Sequence, residues 1–231
     1  VRMAEPRAAG DLDGVVLFPA LPGTCLRDTF EQGGRLPDPS RLIGILEGLA
    51  AAPWRGDPDP GRPDLAIRTS GRLLAQILPH RRQEIRDRYH ELMERVSRPL
   101  PETFTVHGDL YEGQIFIDDA FSLGLIDLED GGIGDPLLDA ANMLAHLTVL
   151  HAYAPEAGGR PLAYRALLRR TLLEHLGGGD EDLAWREAYG ALHLATGPFR
   201  TQSPDWVRET EARLDAVARL MDARPIAVPA A

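Results

Sequence analysis

His107-Gly108-Asp109-Leu110-Tyr111-Glu112-Gly113-Gln114, then Ile126-Asp127-Leu128-Glu129-Asp130, then Gly134-Asp135-Pro136, is the stretch that decides how this chain folds. Three short apolar runs frame it, Phe104 to Val106, Ile115 to Ile117 and Leu123 to Ile126, and their length and composition predict strands. Asp118-Asp119 followed by Ala120 predicts a hairpin connection between the second and third. A hairpin over 115–126 brings its ends together, so Gln114 and Asp127 are expected to be neighbours. An amide oxygen beside a carboxylate, with a further carboxylate close by, makes a hard-oxygen site suited to Mg²⁺. Asp109 is then free for another role. Asp135 followed by Pro136 reads as N-cap and first helical position, opening a helix that runs to about Tyr153.

Working outward, residues 14 to 21 form an apolar run closed by Pro22-Gly23 and read as a buried strand ending in a turn. A helix is expected over 40–52, capped by Ser40, with Leu42, Ile45, Leu46 and Leu49 along one face. Four prolines make 53–64 a loop. Helical spacing returns from Ser70 to about Val96, split or kinked at Pro79. Further helices are expected at roughly 161–176, 181–196 and 204–223, separated by Gly177-Gly178-Gly179 and Gly197-Pro198, with Ser203 opening the last. The fold class is α+β and mainly helical, with a small β insert that carries the polar motif.

At 231 residues the chain is long enough to bury a sizeable core. No apolar run approaches the roughly 18 residues of a membrane span, and the start develops no apolar signal region. Neither a membrane nor nucleic acid is an expected partner. A net charge of −10 argues against the latter, which is bound largely through basic side chains. The single cysteine, Cys25, fits a reducing, cytoplasmic setting. All 25 basic residues are arginine, which excludes lysine-based Schiff-base or general-base chemistry.

His107-Gly108-Asp109 with Gln114, then Ile126-Asp127, then Gly134-Asp135-Pro136, resembles the catalytic core of the aminoglycoside phosphotransferase family, protein-kinase-like enzymes that phosphorylate small molecules. The resemblance implies that Asp109 orients the acceptor hydroxyl and takes its proton. Gln114 and Asp127 would hold Mg²⁺ on the phosphates of ATP or GTP. His107 would brace the loop, and Asp135 would cap the next helix and hydrogen-bond the catalytic loop. Asp139 is placed as structural support, although a carboxylate in a first helical turn is also accounted for by the helix dipole. The family commonly has Asn where this chain has Gln114; maltokinase-like members share the Gly-Gln, which tilts the acceptor toward a sugar.

Val15 to Gly23 looks like the family's hinge between lobes, with main-chain groups of Phe18, Pro19 and Ala20 against adenine. The expected organisation is therefore an N-lobe remnant and hinge over 1–24 and a protein-kinase-like C-terminal lobe over 25–231. That lobe would hold the catalytic loop (107–114) and the metal loop (126–136). About 14 residues precede the hinge-like segment, too few for the family's small lobe, and no lysine is available for its phosphate contact. The apolar 15–21 strand would then be covered by a homodimer partner or a separate N-terminal lobe. Two functions follow: a phosphotransferase acting on a small-molecule hydroxyl of aminoglycoside, sugar or amino-alcohol type, or an inactive lobe that binds a ligand or partner.

Several residues read equally as ordinary. Glu112, Glu129 and Asp130 fit exposed turn positions; His146, His151 and His193 fit core or surface histidines; Cys25 fits an inert apolar site. Trp185, Tyr189, Phe199 and Trp206 either stack on a substrate or pack helices, and Arg81-Arg82 with Arg86 and Arg88 fit a solvated face.

Overall fold

The computed structural model describes residues 2–3, 8–10, 15–54, 63–97, 104–153, 155–176 and 179–222. The chain opens with β1 (Arg2–Met3), β2 (Ala8–Gly10), β3 (Val15–Leu17) and β4 (Thr24–Cys25), then α1 (Leu26–Glu31), α2 (Pro39–Ala50), α3 (Pro63–Ile77) and α4 (Arg82–Val96). The polar motif lies among β5 (Phe104–Val106), β6 (Ile115–Ile117), β7 (Leu123–Leu125) and β8 (Gly132–Gly134). Helices α5 (Pro136–Tyr153), α6 (Arg160–Leu176), α7 (Asp180–Leu194), α8 (Gly197–Arg200) and α9 (Trp206–Met221) follow.

The predicted hairpin forms. Asp118 Oδ1 accepts from the Ala120 and Ser122 amides at 2.9 and 2.8 Å, closing the turn, and Ile117 pairs with Leu123 in antiparallel register. β4 adds antiparallel to the β6 edge and β1 adds parallel to β7, giving the order β1-β7-β6-β4. Ile115, Ile117, Leu123 and Leu125 are all buried and join Phe30, Leu46, Leu144, Leu147 and Leu168 in one core shared with α1, α2, α5 and α6. A second core, built by Ile67, Leu74, Ile85, Leu92, Leu192 and Val217, joins α3, α4, α7 and α9. α5 serves both, since Leu144 faces the first core and Ala145 the second.

Several expectations are corrected. α2 is capped by Asp38, whose carboxylate accepts from the Ser40 amide at 2.9 Å with Pro39 at N1, so Ser40 lies inside the helix. α3 begins at Pro63, ahead of the expected Ser70; of the expected proline loop, residues 55–62 lie outside the described residues. A 3-10 turn over Pro79–Arg81 makes the expected break. The last helix starts at Trp206, while Ser203 accepts from the Trp206 amide and donates its hydroxyl to Glu209 at 2.7 Å. The run at 14–21 forms only the short β3, and Leu17 and Phe18 are 59% and 58% exposed rather than buried. β8 pairs antiparallel with β5 and was not expected, because Gly-Ile-Gly carries no strand pattern.

Trp185, Tyr189 and Trp206 pack against the second core, and Phe199 meets Trp206 edge-on at 5.2 Å, which is the helix-packing reading. Arg81 is no idle surface charge: it pairs with Glu84 and with Asp215 at 2.9 Å, tying the turn that opens α4 to α9. Glu187, fully buried on α7, accepts from Arg165 Nε at 2.6 Å and Arg169 at 3.0 Å, both on α6. Among the described residues no helix is long and apolar enough to cross a membrane.

Candidate active site

The loop after β5 is held from beneath by the first turn of α5. Asp139 accepts from the His107 amide at 2.7 Å and the Gly108 amide at 3.0 Å. The His107 amide would otherwise be buried and unpaired, so this carboxylate does more than favour the helix dipole. Its burial pushes its pKa up to about 6. His107 is fully buried; its Nε2 donates to the Ile126 carbonyl at 2.9 Å, which leaves Nδ1 to accept from the Asp109 amide at 3.4 Å. Gly108 has φ +86, and a Cβ there would lie 2.1 Å from the Asp130 carbonyl oxygen, so the glycine of His-Gly-Asp is obligatory.

These contacts aim Asp109 away from the core. One carboxylate oxygen accepts from the Asn142 side-chain amide at 3.1 Å, and the same amide group also donates to the Leu110 carbonyl at 3.2 Å. Burial raises the Asp109 pKa above the usual aspartate value, and the Asn142 bond partly offsets it. Asp135 behaves differently from expectation. Its oxygens accept from the Leu137 amide at 3.0 Å and from Arg186 Nε at 2.6 Å, so it caps α5 and ties that helix to α7. The hydrogen bonds to the loop at His107 and Gly108 come from Asp139 instead.

The hairpin brings Gln114 and Asp127 together as expected, with the Gln114 amide donating to Asp127 Oδ2 at 2.6 Å and the Ile126 amide donating to the Gln114 carbonyl at 3.1 Å. Asp127 sits at φ +63, a left-handed conformation unusual for a side-chain-bearing residue, at the end of β7. An amide oxygen and a carboxylate match the hard donors that Mg²⁺ takes, the rest of its shell being water and phosphate. Among the described residues no group of three or more His, Cys, Asp or Glu side chains is placed to hold a metal. Phe18, Pro19 and Ala20 form the connector between β3 and β4, and β4 lies on β6, the strand that follows Gln114.

Beside Asp109 opens a cavity of about 300 Å³, walled by Arg27, Tyr111, His146, His193, Arg200 and Arg213 among others. Glu112 corrects its exposed-turn reading: it is fully buried behind this wall, and its Oε1 accepts from Arg27 Nε and an Arg27 terminal nitrogen at 3.0 and 2.9 Å. Its Oε2 has no hydrogen bond and lies 3.8 Å from His146 Nδ1, and burial raises its pKa. His146 stacks on Tyr111 at 4.3 Å, and burial takes its pKa down to about 3, so it is neutral. His193 hydrogen-bonds Ser70 at 3.0 Å; the protein around it and Arg200 lower its pKa. Both histidines therefore belong to the wall of the site. A signal for one existed in the sequence: Asp139, Asn142 and His146 stand at spacings of three and four on an otherwise apolar helix, the polar stripe that faces the loop. Glu129 and Asp130 are exposed turn residues, His151 bonds the Gly158 carbonyl, and the Cys25 thiol, its pKa raised by burial, points at the Glu112 and Gly113 carbonyls.

Solved structures of similar fold include a choline/ethanolamine kinase family protein from Mesorhizobium loti, 16% identical with a TM-score of 0.66 over 96% of this chain and 75% of that one. An ethanolamine kinase of Plasmodium vivax is 14% identical with a TM-score of 0.64, covering 95% of this chain and 69% of that one. Wild-type aminoglycoside 2'-phosphotransferase-IIIa, in its GDP complex, is 18% identical with a TM-score of 0.60, covering 96% and 76%. At these identities the likeness establishes a protein-kinase-like fold. The sequence itself matches the model of the phosphotransferase enzyme family over residues 1–189, and on that match, which takes in the whole of the His107 to Asp135 motif, the chain belongs to the phosphotransferase enzyme family.

Proposed function

We propose that this small-molecule kinase moves the γ-phosphoryl group of ATP or GTP to a hydroxyl of a small acceptor, with Asp109 as proton acceptor. The observation that carries the reading is the placement of Asp109, held by Asn142 at 3.1 Å on a loop fixed by Asp139, with open space for an acceptor beside it. In the reaction the bond from γ-phosphorus to the bridging oxygen breaks as the acceptor oxygen bonds to phosphorus. The hydroxyl proton passes to Asp109. Because the transition state of phosphoryl transfer is loose, most of the rate comes from positioning and charge neutralisation rather than from a strong base. A raised carboxylate pKa still helps, since it brings the proton affinity of Asp109 nearer that of the developing product.

Gln114 and Asp127 would hold Mg²⁺, which when bound supplies positive charge to the phosphate oxygens. The main chain of Phe18 to Ala20 would meet the purine, and the GDP complex of a structural neighbour supports a nucleotide in this fold. Cytoplasmic residence suits such a nucleotide user with a single, half-buried thiol. The reading is tested by following ADP or GDP release across a panel of hydroxyl acceptors, with and without Mg²⁺. Acceptor-dependent nucleotide consumption that vanishes in Asp109→Asn is the expected result. A second reading, a lobe that binds nucleotide or partner without turnover, draws on the exposure of Leu17 and Phe18, a surface suited to a homodimer partner or an N-terminal lobe. Mg·ATP binding without turnover for any acceptor would favour it.

A further inference from the structure

The cavity beside Asp109 carries the opposite charge to the chain. Three guanidinium groups, Arg27, Arg200 and Arg213, line it together with the imidazoles of His146 and His193, against the single carboxylate of Asp109. Counting Glu112, buried behind Arg27, the acids rise only to two. This occurs in a protein whose formal net charge is −10, so the local excess is not a reflection of composition. Arg213 reaches the Leu194 carbonyl at 2.7 Å, while the side chain of Arg200, an exposed residue, makes no hydrogen bond or ion pair among the described residues. The lining includes neither Gln114 nor Asp127, so these arginines face the space on the acceptor side of Asp109 and not the oxygen pair expected to meet the nucleotide phosphates.

We infer that the acceptor is a small alcohol carrying an anionic group, seated with its hydroxyl at Asp109 and its anion toward Arg200 and Arg213. This rests on the phosphotransferase reading for the identity of the hydroxyl, though not for the charge of the ligand. Guanidinium forks match carboxylate and phosphate oxygens in geometry as well as sign, and a cleft concentrates their field. The same groups repel an amine-bearing acceptor, so the lining selects against a cationic sugar or amino alcohol. A volume of about 300 Å³ holds a ligand of single-sugar size and lies at the small end of ligand pockets. The neutral imidazoles add hydrogen-bonding capacity without adding charge.

Four probes built on one hexose ring separate the possibilities: glucuronate, glucose 6-phosphate, glucose and glucosamine, each titrated calorimetrically into the full chain with and without Mg·ATP. At least one of the two anionic probes is expected to bind about tenfold or more tighter than glucose, with glucosamine weakest, and comparing the two tells carboxylate from phosphate. Arg200→Glu is expected to erase that preference while leaving the Mg·ATP affinity unchanged; as an exposed position it does not endanger folding. The inference falls if glucose or glucosamine binds as tightly as both anions, if no probe binds, or if Arg200→Glu weakens Mg·ATP and spares the probes. Tight binding of an anion with no ADP release would keep the inference and remove the phosphotransferase reading. ADP release with glucosamine alone would do the reverse.

Discussion

On the sheet side of Asp109, the Gln114 side-chain amide donates to Asp127 Oδ2 at 2.6 Å across one hairpin, whereas on the helix side Arg27, Arg200 and Arg213 surround open space from three different helices or their ends. The first arrangement suits a hard cation and the second an anion. Asp109 stands where they meet. The difference teaches that one loop residue is served by two surfaces of opposite chemistry, one local in sequence and one assembled across the fold.

Substitutions that remove the junction, the support or one surface test this division. Asp109→Ala is expected to lower turnover by roughly 10³-fold or more while the Mg·nucleotide affinity and the thermal midpoint stay close to the parent. Steady-state kinetics beside nucleotide titration decide it; retained turnover breaks the scheme. Asp127→Asn is expected to lower kcat/KM by on the order of 10²-fold at fixed Mg²⁺, in part recoverable by raising Mg²⁺, with acceptor KM little changed. An effect mainly on acceptor KM would merge the two surfaces.

Asp139→Ala leaves the buried His107 amide and the partly buried Gly108 amide without their acceptor and is expected to cost about 2 kcal/mol near neutral pH, read by chemical denaturation. The pH dependence has a definite sign. The folded pKa of about 6 lies above the unfolded value of 3.8, so the contribution of this group is fully present below about 3.8 and is lost as pH rises through about 6. The stability gap between parent and variant is therefore expected to narrow from pH 4 to pH 7. The smallest effect belongs to Asn142→Ala. Its amide holds the Asp109 pKa down against burial, so its loss is expected to move the acid limb of the pH–rate profile to higher pH and to lower kcat by about tenfold.

The same division explains what the sequence disclosed. The hairpin followed from two short apolar runs joined by the turn residues Asp118-Asp119-Ala120, and with it came the Gln114–Asp127 contact. The helical framework was legible from spacing, except where caps compete: Asp38 ahead of Pro39 outranks Ser40 because Pro39 suits the first helical position. Glu112 was misplaced because a charged residue in a glycine-containing loop looks solvated, and only the arrival of Arg27 from the first turn of α1 makes its burial tolerable. The helix-side wall was illegible for the same reason, since Arg27, His193, Arg200 and Arg213 share no sequence pattern. Asp135 lacks the loop contact expected of it, while Asp139 gives the support expected of it, because position on a helix fixes direction. One lies at the cap and meets Arg186, while the other, a turn later, faces the loop.

The buried clasp of Glu187 by Arg165 and Arg169, next to the Arg186 pair with Asp135, has a consequence for motion. Sliding α7 against α5 or α6 would strand charges in a medium that solvates them poorly, at a cost of several kcal/mol. α7 therefore behaves as a fixed back wall for the residues that follow it, His193 at its end and Thr196 and Arg200 beyond. An acceptor that does not match this wall meets resistance rather than accommodation. Change of specificity in this protein is then a matter of exchanging side chains on a static frame.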